Sequence, residues 1–375
     1  MIKQDKFGPE YRVRIYDPQI GMTAFLVIDN TVLGPGKGGF RMTSTVSEEE
    51  VARLARVMTW KNALAGIPFG GAKGGIIWKG GDDELKKQFV QSFARNLKPF
   101  MPKYYISAPD VNVGEKEIEW FIEATGDFYS ATGKPATMCI ESAEKKRICG
   151  IPHEAGSTGF GVARATKVAC ECVSIAIKGA SIAIDGFGNV GSFAFKYLSQ
   201  MGATIVAVSD SKGAIYKKNG LDVKEVSRVK KEYGSVQKYS GAKKIKKEEL
   251  FELKVDVLIP ASVTDVIHDG NKKNIKARVI VEGANIPMTE KTEKFLHTKG
   301  ILIVPDFVAN AGGVISSYAE HKGLTHEEMF TLVQDKIEKA THAVIMQSLK
   351  TKQNPRDVGI KIAQERVQKK INFGS

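Results

Sequence analysis

The segment Gly186-Phe187-Gly188-Asn189-Val190-Gly191 puts glycine at the first, third and sixth positions of a turn. It follows an apolar strand, Ser181-Ile-Ala-Ile-Asp185, and opens a helix that reaches about Met201. A second strand, Thr204-Ile-Val-Ala-Val208, comes next and runs out to Asp210. Glycine spacing alone is a weak signal. Inside a βαβ unit it constrains the chain to a Rossmann-type sheet with a dinucleotide, NAD or NADP, at the first turn. The first glycine makes the tight turn, the second lets the backbone approach the pyrophosphate, and the third lets helix and strand pack closely. The helix N-terminus faces the phosphates. The competing reading is a glycine-rich turn that holds no ligand. Asp210 sits where a carboxylate would hold the adenosine ribose 2′-hydroxyl, and it could equally form a turn before Gly213. Ser211 and Lys212 follow and could meet a 2′-phosphate instead, so the choice between NAD and NADP stays open.

Strands and helices alternate along the rest of the chain, which predicts an α/β protein. Tyr11–Tyr16 alternates as a strand, and Ala24–Ile28 is a buried apolar run. Ser47 with Glu50 forms a capping-box pattern ahead of an apolar stripe at Val51, Leu54, Ala55 and Met58. Gly66 and Pro68 end that helix. Another begins near Asp83, with Leu85, Phe89, Phe93 and Leu97 inward. Between them lies Gly70-Gly-Ala-Lys73-Gly-Gly75, then a short strand Ile76–Trp78. Further strands are expected at Tyr104–Ser107, Val255–Ile259, Val279–Val281 and Ile301–Val304, a helix at Gly159–Val173, and a helical tail from Ala311.

A length of 375 residues suits two domains, or three. No uncharged apolar run reaches the ~18 residues of a membrane span, and the first ten residues lack an apolar leader core. Cys139, Cys149, Cys170 and Cys172 match neither a disulfide framework nor paired zinc ligands. Reduced thiols in a cytoplasmic protein are the expectation. His326-Glu327-Glu328 lacks the second histidine of a zinc protease motif, and no metal site is expected. The net charge of +13 rests on 55 Lys+Arg against 42 Asp+Glu. Its densest run, Lys243–Lys247, is followed at once by Glu248-Glu249 and carries no aromatic interleaving, so neither nucleic acid nor membrane is an expected partner. An anionic small substrate accounts for some of the lysines equally well.

Lys61 lies on the apolar face of its own helix, three residues after Met58 and seven after Leu54. An ammonium there meets an anion or snorkels near the helix C-terminus. Lys73, flanked by glycine pairs, is placed to polarise a carbonyl or share a proton, or is a surface lysine in a loop. Lys37, within Gly34-Pro-Gly-Lys37-Gly-Gly39, repeats the device. Three such lysines suggest a pocket for a multiply negative substrate. Asp110, after the rigid Ala108-Pro109, is either a proton carrier or an ordinary turn aspartate.

Lys37-Gly-Gly-Phe-Arg41, Met58-Thr-Trp-Lys61-Asn-Ala, Pro68-Phe-Gly-Gly-Ala-Lys73-Gly-Gly75 and Ala108-Pro-Asp110 together resemble the glutamate dehydrogenase family, which includes leucine, phenylalanine and valine dehydrogenases. The likeness continues through Thr158-Gly-x-Gly161, the Gly186 turn, Glu282-Gly-Ala-Asn285 and Asn310-Ala-Gly-Gly-Val-Ile-Ser-Ser317. The resemblance implies roles. Lys61 would grip the substrate α-carboxylate, Lys73 would polarise the 2-oxo group, and Asp110 would carry protons to and from nitrogen. Lys37 and Ser317 would hold a distal carboxylate. Thr158 and Asn285 would lie near the nicotinamide, with Ala261, Asn310 and the residues from Gly186 to Gly191 completing the cofactor set.

The resemblance also implies an organisation and a reaction. Residues 1–148 would bind substrate and mediate oligomerisation, 149–318 would form the NAD(P)-binding Rossmann domain, and helices in 319–375 would pack back toward the first. The reaction would be reversible oxidative deamination of L-glutamate to 2-oxoglutarate and ammonium, in a homo-oligomer with a hexamer favoured. A branched-chain or aromatic amino-acid dehydrogenase is the alternative, and Lys37 argues against it because such an enzyme would carry an apolar residue there.

Overall fold

The computed structural model describes residues 4–142, 144–152 and 155–374. It divides into two compact units: residues 1–155, 314–332 and 360–375 form the first, and residues 156–313 and 333–359 the second. Among the described residues no helix is long and apolar enough to cross a membrane.

The first unit is built on a six-stranded sheet. Strands β1 (Tyr11–Asp17) and β2 (Met22–Asn30) pair antiparallel, and β2 pairs antiparallel with β5 (Gly70–Ile77). The short strands β3 (Gly36–Lys37) and β4 (Phe40–Thr43) both run parallel to β5, and β6 (Tyr105–Ile106) pairs parallel with β3. Helices α1 (Glu48–Ala65), α2 (Asp83–Leu97) and α3 (Glu115–Thr125) cover it. Phe40, Phe93 and Phe121 meet in the core, with ring centroids 5.4–6.3 Å apart.

The glycine-rich segment around Lys73 is not a loop: it is the body of β5, continuous with the expected short strand. Glycine inside a strand marks close backbone approach. A Cβ on Gly71 would sit 2.1 Å from Thr59 Oγ1, and one on Gly74 would sit 2.7 Å from Phe40 Cβ. That approach also explains why the buried face of α1 is Val51, Ala52, Ala55, Thr59, Asn62 and Ala63, while Leu54 and Met58 are half-buried. Small side chains face the glycine strand. The capping box is half formed: Ser47 accepts from the Glu50 N–H, but the Glu50 carboxylate binds Arg41 instead of turning back to its cap.

Strands β7 (Cys139–Glu141) and β8 (Arg147–Cys149) form an antiparallel hairpin in the same unit. Their register sets Cys139 opposite Cys149, and the two sulfurs are bonded. The expectation of four reduced thiols fails for this pair. Two cysteines ten residues apart match no short motif, and only the hairpin register makes them neighbours. Cys170 and Cys172 are free.

The second unit holds a seven-stranded sheet in the order β12-β11-β10-β9-β13-β14-β15. Here β9 is Ser181–Asp185, β10 Thr204–Asp210, β13 Val257–Pro260, β14 Val279–Val281 and β15 Leu302–Val304, all parallel. Strands β11 (Gly213–Tyr216) and β12 (Lys243–Ile245) add an antiparallel edge. The chain leaves β9 toward β10 through α5 (Asn189–Gln200), then returns to β13 on the other side of β9. That reversal is the topological switch point where open α/β sheets bind ligands, at the carboxyl ends of the strands. The flanking helices include α4 (Ser157–Cys172), α6 (Val223–Tyr233), α7 (Lys247–Phe251), α8 (Glu290–Thr298) and α9 (Asp306–Ala309). The tail is helical, in α10 (Gly312–His321), α11 (His326–Thr351) and α12 (Pro355–Gly374).

Candidate active site

In the first unit β5 presents Lys73 from a fully covered strand, where it is 8% exposed. Asp110 follows β6 and closes a tight turn, its carbonyl accepting the Val113 N–H at 2.9 Å. Lys73 Nζ lies 3.0 Å from Asp110 Oδ2. Arg41, on β4, donates its Nε to the same oxygen at 2.9 Å and its Nη1 to Glu50 on α1. Burial alone would raise the Asp110 carboxyl, but Lys73 and Arg41 outweigh it and hold the group below the usual carboxylate range. The result is a fixed, ionised carboxylate within proton-transfer distance of an ammonium. Arg41 had no assigned role in the sequence, because its partner lies on a distant segment.

Lys37, on β3, is 1% exposed. Its ammonium donates to the Ser107 carbonyl, with the Ile106 carbonyl at 3.5 Å, and makes no ion pair among the described residues. Burial pushes its pKa well below the ordinary lysine value. Glu320 opposes the shift, and Lys134 and Lys73 add to it. Glu320, on α10, forms a buried ion pair with Lys134 at 2.7 Å and accepts the Gly133 N–H at 2.7 Å. Lys134 also donates to the Ala131 carbonyl at 2.7 Å and lies 4.1 Å from the Phe128 ring centroid. His321, at the end of α10, packs edge-on to Phe69 and Tyr129, and its Nδ1 has no hydrogen-bond partner among the described residues. Burial and then the charges of Lys37 and Lys134 lower its pKa to about 4, so the ring is neutral at pH 7. Neither the Glu320–Lys134 pair nor His321 was marked by a sequence pattern. Ser317, on the same helix, and Lys61, on α1, are both half-buried. Among the described residues, Lys37, Lys73 and Lys134 are gathered around the carboxylates of Asp110 and Glu320, with Asp127 acting on Lys134 from farther off, in a buried interior.

In the second unit the three glycines have separate backbone tasks. Gly186 has φ +109°, and a Cβ there would meet the Ala261 carbonyl at 2.7 Å. A Cβ on Gly188 would meet nothing within 4 Å, which leaves room at the N-terminus of α5. A Cβ on Gly191 would sit 2.0 Å from the Gly186 carbonyl oxygen. Phe187 is buried, Asn189 is exposed and Val190 half-buried beside them. The open N-terminus of α5 and the Gly188 gap fit a pyrophosphate. Ala261 follows β13, Asn285 follows β14, and Asn310 follows β15 and α9, so all three lie on the carboxyl side of the sheet. Asn310 Nδ2 donates to Asn285 Oδ1 at 2.8 Å. Thr158 is in the first turn of α4.

Arg356 anchors this edge. Its guanidinium reaches Glu282 at 2.8 Å, Glu293 at 2.5 Å and Asp306 at 3.0 Å. Burial raises the Glu282 carboxyl well above its ordinary value despite Arg356. Asp210 is also turned into the fold. Its Oδ2 accepts from Lys230 Nζ and the Val236 N–H, each at 2.8 Å, and its Oδ1 from the Lys212 N–H at 2.9 Å and Ser235 Oγ at 3.3 Å. Ser211 and Lys212 are exposed beside it.

The family description "Glutamate/Leucine/Phenylalanine/Valine dehydrogenase" matches residues 149–373, and "Glu/Leu/Phe/Val dehydrogenase, dimerisation domain" matches residues 11–127. The glutamate dehydrogenase of Aeropyrum pernix is 39% identical over 366 residues, covering 90% of this chain and 83% of the relative. An NADP-specific glutamate dehydrogenase from Saccharolobus shibatae is 38% identical over 332 residues, covering 84% and 76%. Among solved structures, the hetero-hexameric glutamate dehydrogenase of Thermus thermophilus in a leucine-bound form is similar with a TM-score of 0.83 at 25% identity, covering 98% of this chain and 90% of that one.

Proposed function

The chain belongs to the glutamate/leucine/phenylalanine/valine dehydrogenase family, and on that premise we propose that it catalyses the reversible NAD(P)-dependent oxidative deamination of L-glutamate to 2-oxoglutarate and ammonium. One observation carries the choice of glutamate over an apolar amino acid: the buried Lys37 ammonium, which has carbonyl partners but no ion pair among the described residues. A leucine or phenylalanine side chain would leave that charge uncompensated, whereas a distal carboxylate would neutralise it.

In this reading Lys61 binds the α-carboxylate, and Lys37 with Ser317 binds the distal one. Two cation–carboxylate contacts fix the α-carbon in place, which is where orientation contributes to rate. NAD(P)+, when bound, supplies an acceptor for the hydride from that carbon. Lys73 stabilises negative charge on the oxygen as water adds to the imine, and Asp110 exchanges a proton with the substrate nitrogen. Arg41 positions Asp110 and keeps it ionised. Thr158, Asn285 and Asn310 line the nicotinamide end, and Gly186 to Gly191 hold the pyrophosphate.

The same reading has the chain acting as a homo-oligomer, with a hexamer favoured by the hexameric Thermus relative and by the dimerisation-domain match. It places the enzyme in the cytoplasm, where nicotinamide cofactors are kept, and assigns it no nucleic-acid or membrane partner. The test is an initial-rate panel of glutamate, leucine, valine and phenylalanine against both cofactors. A kcat/KM for any of the apolar substrates that matches or exceeds that for glutamate refutes the assignment.

A further inference from the structure

Dinucleotide-binding sheets commonly use a carboxylate at the end of the second strand to hold both ribose hydroxyls, and the same carboxylate repels a 2′-phosphate. In this chain that position is Asp210, at the end of β10. Its carboxylate is 4% exposed, and both oxygens are committed to Lys230, Ser235 and two backbone N–H groups. The Lys230 ammonium cancels its charge. What faces outward at this turn is Ser211 and Lys212. Beside them a cavity of about 430 Å³ is lined by Ser211, Lys212, Lys244, Lys246 and Lys247, and also by Glu248 and Glu249, so four lysines face two carboxylates there. The antiparallel pairing of β11 with β12, Ala214 opposite Ile245, brings this lysine run against the end of β10. Glu249 is partly occupied at home, accepting the Lys246 N–H at 2.6 Å.

We propose that the chain selects NADP(H) over NAD(H), with Ser211 and Lys212 taking the ribose 2′-phosphate in a field reinforced by Lys244, Lys246 and Lys247. A phosphate monoester carries close to two negative charges at neutral pH and three acceptor oxygens. A hydroxyl and an ammonium on adjacent residues suit it, and no uncompensated carboxylate opposes it at Asp210. NAD gains nothing from this surface, since its ribose hydroxyl finds the Asp210 oxygens already bonded. The surplus of basic residues in the run from Lys243 to Lys247 thereby acquires a function.

The proposal rests on the second unit being the dinucleotide-binding unit, and not on the identity of the amino acid. Its test is therefore a titration of the full chain with NADPH and with NADH, followed by nicotinamide fluorescence with no amino acid present. NADPH is expected to bind about 10-fold or more tightly than NADH at low salt, as a charge-assisted contact implies, and the gap should narrow as salt rises. Lys212→Ala should weaken NADPH about 10-fold and leave NADH within about 2-fold. Lys230→Met restores an uncompensated carboxylate at Asp210 and should narrow the preference from the other side. NADH binding as tightly as NADPH, or a Lys212→Ala variant that weakens both alike, overturns the proposal. Failure of both cofactors to bind overturns it together with the dinucleotide reading. A chain that prefers NADPH but fails the glutamate panel leaves it standing.

Discussion

Lys73 Nζ and Asp110 Oδ2 stand 3.0 Å apart, and Arg41 Nε holds the same oxygen at 2.9 Å. The carboxylate is therefore clamped between two cations, one free to act on substrate and one tied to Glu50. The arrangement makes different demands on the three residues. Lys73→Ala and Asp110→Asn should each lower kcat by about 100- to 10,000-fold, the range of lost acid–base catalysis. Both should still bind NADPH, because the glycine turn lies in the other unit. Arg41→Lys keeps a charge but loses the fork to Glu50, so it should cost less. Its informative readout is the pH profile: with the guanidinium gone, the acid limb of kcat/KM should move to higher pH. Near-native turnover in Asp110→Asn removes Asp110 from the mechanism.

The Cys139–Cys149 bond joins two cysteines ten positions apart across a hairpin. In the chain-entropy account a loop of this size gains about 2–3 kcal/mol of stability from its cross-link. Cys139→Ser, or reduction of the native chain, should lower the urea midpoint without changing kcat under stabilising conditions. Mass spectrometry after alkylation checks the premise: four labelled thiols in untreated protein would mean that the bond does not form, and two would mean that it does.

How far the sequence could be read depends on whether a residue acts alone or through a remote partner. Gly186 and Gly191 were legible because each performs a backbone task that only glycine performs, Gly188 leaves open space between them, and all three lie within six residues. Lys73, Asp110 and Lys37 were legible as polar residues set in glycine or proline frames, and their meaning came from the family resemblance. The clamp by Arg41, the Glu320–Lys134 pair and the anchor at Arg356 were not legible. Each joins segments that only the folded sheet brings together. The β5 segment misled because glycine-rich sequence suggests a loop, whereas here it is what lets α1 and α2 approach a strand. Asp210 shows the same limit. Its position was evident, and the commitment of both its oxygens was not.

Glu320 and Lys134 form an ion pair that is almost wholly out of water. Removing one partner leaves a buried charge, which costs about 3–5 kcal/mol. Glu320→Ala should therefore lower stability sharply and also strand the Gly133 N–H that the carboxylate accepts. The double variant Glu320→Gln with Lys134→Met should recover much of the loss, since it removes both charges and keeps an acceptor. Urea unfolding of the two variants decides the point: a double variant as unstable as Glu320→Ala would show that the packing around the pair, and not its charge, is what matters.

Lys37 should separate stability from function. Its ammonium is buried with carbonyl partners only, so the folded protein carries a desolvation penalty that an apolar residue of similar length would lack. Lys37→Met should raise stability by about 1–4 kcal/mol at neutral pH. The sign with pH follows from the lowered pKa of Lys37 in the fold. Below that pKa the charge is present in both states and the penalty is full. As pH rises toward the ordinary lysine value the folded state gives up its proton first, and the unfolded state binds the extra proton. Wild-type stability therefore rises with pH in that window, and the advantage of Lys37→Met shrinks. The functional effect runs the opposite way. If the distal carboxylate of glutamate neutralises Lys37, losing a charge-assisted contact worth roughly 1.5–3 kcal/mol or more should cut kcat/KM for glutamate by about 10- to 1000-fold. Norvaline, which has no distal charge, should be used as well as before or better. Ser317→Val should lower the same ratio, less than additively with Lys37→Met, because both residues would touch one carboxylate. The measurement pairs urea unfolding at pH 7 and pH 9.5 with kcat/KM for glutamate and norvaline under saturating cofactor. A variant that is stabilised but keeps the wild-type glutamate-to-norvaline ratio would place the distal carboxylate elsewhere and favour an apolar amino acid as the substrate.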